Sequence, residues 1–132
     1  MSDKWKALLA QLERAVDRFR EVLKQPKNEF MRNSAIQRFE FCFDLSWKIM
    51  KGYLEERIPD LKLIYPKETI REAFQKGLVE DNIQWMVMVN ERNLTSHTYN
   101  EPIAEKIYDE LPEFLTLYEG LLKRMKKESS VE

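Results

Sequence analysis

From Trp5 to Leu23, apolar residues fall at Trp5, Leu8, Leu9, Leu12, Val16, Phe19, Val22 and Leu23. Only an α-helix turns that spacing of three and four into one continuous stripe. The period returns in later segments and constrains the fold more than any other feature. Ser2 or Asp3 can cap this first helix, and Gln25-Pro26 stops it. Asn28 caps a second, over about Phe30 to Arg57, ended by Pro59. Its middle is apolar on more than one face, with Phe39, Phe41, Cys42, Phe43, Leu45, Trp47, Ile49, Met50, Tyr53 and Leu54. Such a helix belongs at the centre of a bundle or partly against a second subunit.

Asp60 to Tyr65 reads as a loop, and Pro66 suits the first turn of a short helix to Lys76 with Gly77 just past its end. Asp81 caps a fourth helix through Ile83, Trp85, Met86, Val87, Met88, Val89 and Leu94. Its β-branched residues would allow a strand, but the spacing favours a helix. Asn100 caps the last, with Pro102 in its first turn and Ile103, Ile107, Leu111, Phe114, Leu115, Tyr118, Leu121 and Leu122 as its stripe. Pro112 lies inside it, where it should produce a kink. The expectation is an all-α, antiparallel up-and-down four-helix bundle with a short additional helix, one domain over residues 1–132.

Composition narrows the function. A chain of 132 residues can bury a core without staples. Its net charge of -1 exerts no global pull on nucleic acid, so any RNA or nucleotide site must rest on local charge. The lone Cys42 excludes an internal disulfide and points to a reducing compartment. One Cys and one His cannot make a Cys/His zinc site within one chain. The first residues lack the apolar core of a signal peptide, and no run approaches a membrane span. A cytoplasmic protein without metal, cofactor or membrane partner is expected. Gly52, Gly77 and Gly120 form no phosphate-cradling loop. No Gly-Ser precedes an Asp-x-Asp pair, so this is not expected to be a nucleotidyltransferase catalytic subunit.

Candidate chemistry gathers at Arg92-Asn93-Leu94-Thr95-Ser96-His97-Thr98-Tyr99, around the only histidine. Histidine gives and takes protons near neutral pH, and arginine grips phosphoryl oxygens bidentately. With nine arginines present, one falling close before the histidine is unremarkable, and on spacing alone a capping or hydrogen-bonded histidine is the better reading. Three details shift the balance. The segment sits where the fourth helix should end, before the Asn100 cap. Residues five apart on a continuous helix point about 140° from each other, so a shared site needs the helix to end near Thr95 or a second chain. Asn93 and Tyr99 add more hydrogen-bonding groups than a core histidine needs. Glu40, Asp44, Lys48 and Lys51 form a second group at helical spacing. It reads first as a solvated stripe with an Asp44–Lys48 ion pair; alternatively Glu40 or Asp44 reaches Arg92 or His97 and orients it. Trp47 and Trp85 read as core.

Arg38-Phe39-Glu40 with Trp47-Lys48, Ala73-Phe74 with Gly77-Leu78, and above all Arg92-Asn93-x-x-x-His97-Thr98-Tyr99-Asn100-Glu101 resemble the nucleotidyltransferase substrate-binding protein family. That family belongs to the HEPN superfamily and is related to the HepT toxins; the resemblance runs from about residue 5 to 125. It implies an all-α bundle that usually forms a homodimer and pairs with a cognate minimal nucleotidyltransferase. In RNase-active relatives the corresponding Arg92 and His97 cleave RNA without metal, assisted by Asn93. In HepT-type systems the residue matching Tyr99 receives AMP from the partner transferase, which silences the toxin. Three functions follow as expectations: a partner or substrate-binding subunit presenting a nucleotide, RNA or its own Tyr99; a metal-independent endoribonuclease using Arg92 and His97; or a helical dimer in which the motif only stabilises a turn.

Overall fold

A computed structural model describes residues 4–130. The chain runs through α1 (Lys4–Leu23), α2 (Glu29–Arg57), α3 (Pro66–Gln75) and α4 (Asn82–Leu94). One 3-10 turn, Thr95–His97, and then α5 (Glu101–Ser130) complete it. No strand occurs among the described residues. The boundaries follow local chemistry. The Asn28, Asp81 and Asn100 side chains accept hydrogen bonds from the backbone N–H groups of Met31, Gln84 and Ile103, satisfying donors that a helix start leaves orphaned. Gly77, at φ 78°, supplies the left-handed residue just past α3. The expected Ser2 or Asp3 cap lies outside the described residues. Pro112 lies within α5 without ending it.

Cross-helix contacts give the directions. Arg20 meets Glu119 and Glu13 meets Lys126, so α1 and α5 run antiparallel. Arg32 meets Glu101, Phe39 stacks on Phe114 and Tyr53 bonds Glu128, so α2 and α5 run parallel. Glu91 meets Lys106 and Trp85 meets Tyr118, so α4 runs against α5. The bundle is therefore up-and-down, as the sequence predicts.

It is less even than four long helices. With 20, 29 and 30 residues, α1, α2 and α5 pack mutually, whereas α4 has only 13. The short α3 packs on α2 and α4, burying Thr69, Ile70 and Ala73. Gly52 lets α1 approach α2: a Cβ there would stand 3.2 Å from Trp5 Cβ. At the centre, the fully buried Tyr118 hydroxyl donates to the Phe39 carbonyl at 3.0 Å, fixing α5 to α2 one residue before Glu40. Cys42 is fully buried beside it on α2, and burial pushes its thiol up to about 12, with Arg38 opposing. Phe41 remains 54% exposed, so α2 is central without being covered on every side.

Candidate functional site

Arg92 projects from the last turn of α4 toward α2. Its Nε and Nη2 donate to the two Asp44 carboxylate oxygens at 3.2 and 3.1 Å, a bidentate fork. Nη1 donates to Glu40 at 2.9 Å and to the Thr95 hydroxyl at 2.8 Å. That hydroxyl lies 2.9 Å from the same Glu40 oxygen and 2.7 Å from the Arg92 carbonyl, and with one proton it donates to either in turn. Burial alone would push the guanidinium pKa down, but Asp44 and then Glu40 hold it above its ordinary value. Two carboxylates face one guanidinium, so the cluster is net negative, and four of the five arginine N–H groups are already engaged.

The ion-paired stripe expected on α2 is thus corrected. Asp44 pairs with Arg92 and Lys51 pairs with Glu55, while Lys48 is exposed without an ion pair among the described residues. A side chain from another helix, approaching a half-buried carboxylate, supplies the fork that a flexible lysine on the same helix cannot.

His97 stands elsewhere. The helix ends at Leu94 and tightens into the 3-10 turn, as a shared site within one chain requires, yet a 3-10 residue turns about 120°, which carries His97 further round from Arg92. No hydrogen bond joins the two among the described residues. His97 is exposed, and its Nδ1 lies 3.0 Å from the Tyr99 hydroxyl, the rings meeting edge to face at 5.7 Å. Tyr99 is 81% exposed at the crest of the α4–α5 connection. Asn93 is exposed and borders a cleft of roughly 330 Å³ with Asp44, Trp47, Pro66, Arg92 and Ser96. The structure therefore gathers Arg92, Asn93 and Glu40 on one side of the turn, and His97 with Tyr99 on another. Trp85 is core, whereas Trp47 is only partly buried and walls this cleft.

Two participants carried no role in the sequence reading. Thr95 bridges Arg92 and Glu40, and only its place three residues after Arg92 hinted at it. Arg32, 4% exposed on α2, pairs with Glu101 and Glu105 and so holds the start of α5 against α2. Hydrogen bonding to Glu101 first, with Glu105 adding to it, holds the Arg32 guanidinium well above its ordinary pKa against the cost of burial. This anchor fixes one end of the turn that carries Tyr99. No group of three His, Cys, Asp or Glu among the described residues is arranged to hold a metal ion.

The family model described as nucleotidyltransferase substrate binding protein like matches residues 3–127. This chain belongs to that family. It is 34% identical over 101 residues to a probable ribonuclease HepT of Haemophilus influenzae, covering 74% of this chain and 69% of the relative. A solved Haemophilus influenzae structure, reported to reveal the fold of a substrate binding domain of a nucleotidyltransferase, is 31% identical. The TM-score is 0.71, with 94% of this chain and 98% of that one covered. A tri-AMPylated Shewanella oneidensis HEPN toxin, solved in complex with an MNT antitoxin, shares the fold at 19% identity. Its TM-score is 0.73, over 96% of this chain and 99% of the other. No helix among the described residues is long and apolar enough to cross a membrane.

Proposed function

We propose that this chain is the helical substrate-binding partner of a cognate minimal nucleotidyltransferase in a toxin–antitoxin-like pair, and that it presents Tyr99 as the acceptor. The exposed Tyr99 hydroxyl, 3.0 Å from His97 Nδ1, carries this reading. With Nδ1 unprotonated, the hydroxyl donates to it and its oxygen lone pairs face solvent. The oxygen attacks the α-phosphorus of a nucleoside triphosphate held by the transferase. The new O–P bond forms as the α–β phosphoanhydride bond breaks, pyrophosphate leaves, and the phenolic proton passes to His97. The relatives, one a substrate-binding domain of a nucleotidyltransferase and one an AMPylated toxin bound to its antitoxin, support the partner. A lone buried cysteine fits a cytoplasmic setting. Incubation with the transferase and ATP, read by intact mass, should add AMP to the wild type and none to Tyr99→Phe. Equal labelling of that variant refutes Tyr99 as acceptor.

A second reading is a metal-independent endoribonuclease, supported by Arg92, Asn93 and His97 at one helix end and by the probable ribonuclease relative. His97 would serve as general acid or base, and Arg92, with one Nη2 hydrogen unengaged, would stabilise charge on the phosphorus oxygens. Because the two side chains leave the turn on different sides, a shared site calls for a homodimer that brings a second copy of the motif close. RNA cleavage in EDTA that vanishes in His97→Ala is the expected result; cleavage surviving that change removes the reading.

A further inference from the structure

About a quarter turn round α2 from Glu40 and Asp44, two adjoining clefts of roughly 360 and 300 Å³ run between α1 and α2 and share Arg18 and Arg38. Arg14 lines the larger one. Among the described residues none of these three arginines has an ion pair or a side-chain hydrogen bond, and Arg38 Nε is buried without a partner. By contrast Arg20, Arg32, Arg92 and Arg124 each meet a carboxylate. Glu21, the one acid lining either cleft, pairs with Lys24 at 3.6 Å. A chain with net charge -1 thus concentrates unneutralised cations in one groove. A buried orphan donor of this kind is satisfied by an acceptor that the free chain does not supply.

The shape selects the ligand. Arg14 and Arg18 stand one helical turn apart, roughly 6 Å, and the track from Gln11 to Gln25 spans about 21 Å. That is too long for one mononucleotide. Phe41, 54% exposed, edges the groove as a flat apolar platform beside the Gln11 and Gln37 amides. Cationic grooves punctuated by an aromatic face suit single strands, whose phosphates meet arginine and whose bases stack. We propose that the α1–α2 groove binds single-stranded RNA, with Arg14, Arg18 and Arg38 on its phosphates and Phe41 under a base. The site needs no activity of Arg92 or His97 and stands whether or not Tyr99 is modified.

The test uses the full chain and a fluorescent, 2′-O-methylated oligouridylate of about twelve nucleotides, within the range of single-strand site sizes. The 2′-O-methyl groups prevent cleavage through the 2′-oxygen, and binding is read by anisotropy across salt concentrations. Arg14→Gln/Arg18→Gln should weaken binding roughly tenfold and flatten the log–log salt slope by about 1.4. Its melting temperature should not change, since neither arginine has a partner to lose. Phe41→Ala should weaken binding with the slope unchanged. Absence of binding by the wild type, or equal affinity and slope in the double variant, overturns the proposal. If the double variant keeps its oligonucleotide affinity but no longer co-elutes with the nucleotidyltransferase, or with a second copy of itself, the groove is a protein-docking surface and the proposal falls.

Discussion

Arg92 and Tyr99 lie seven residues apart, yet they sit in opposite physical settings. Arg92 is 28% exposed and tied to α2 by a carboxylate fork and a second carboxylate, and to the 3-10 turn by a hydroxyl. Tyr99 is 81% exposed and meets one side chain, that of His97. One region converts charge into rigidity, and the other leaves a phenol and an imidazole in water on a turn clamped at both ends. Residues that read as one motif in the sequence therefore divide into a frame and a presented group. The frame also leaves two carboxylates to one guanidinium at Arg92, a net negative charge that on its own disfavours phosphate.

The sharpest way to break this contrast is Arg92→Ala, which strands Glu40, Asp44 and Thr95 together without a counter-charge. It should cost about 1–3 kcal/mol, less than a fully buried pair because both carboxylates touch solvent, and lower the melting temperature by several degrees. Arg92→Lys should recover less than half, since an ammonium cannot form the fork. An unchanged melting curve for both would show that the clamp does not hold α4.

A pH scan probes the other contact of α4, where Glu91, the residue before Arg92, faces Glu110 on α5. Burial first, then Glu91, raises the Glu110 carboxyl to about 7, with Lys106 opposing. Its folded pKa exceeds its unfolded value near 4.5, so the stability of its protonated form is fully present below that value. That contribution is lost as pH rises through about 7. The melting temperature should thus fall between roughly pH 5 and 7, and Glu110→Gln should flatten that fall. A variant with the same slope as the wild type would assign the slope elsewhere. The smallest effects belong to the presented side: His97→Ala and Tyr99→Phe should each change stability by less than about 0.5 kcal/mol. A larger loss in a chemical denaturation series would mean that the pair is part of the frame.

How much of this was legible in the sequence follows from the range of each interaction. The caps at Asn28, Asp81 and Asn100 act over three residues, so their positions and the helix starts could be read directly. The Arg92–Tyr99 segment is equally local, so it too could be singled out from the sequence. Arg92 meets Asp44 and Glu40 across 48 and 52 positions, and Arg32 meets Glu101 across 69. Local spacing supplies a plausible wrong partner for Asp44, namely Lys48, and nothing for Arg32. The shortness of α4 was legible as well, bounded by the Asp81 cap and an end near Thr95.

Cys42 is fully buried in the core on α2. Only a thiolate reacts readily with an alkylating reagent, and this thiol is both covered and held protonated to about pH 12. Its labelling therefore waits for α2 to come away from its neighbours. The chain carries its own clock: one sulfur whose modification rate counts the openings of the bundle, at a position that no external probe needs to be engineered to reach.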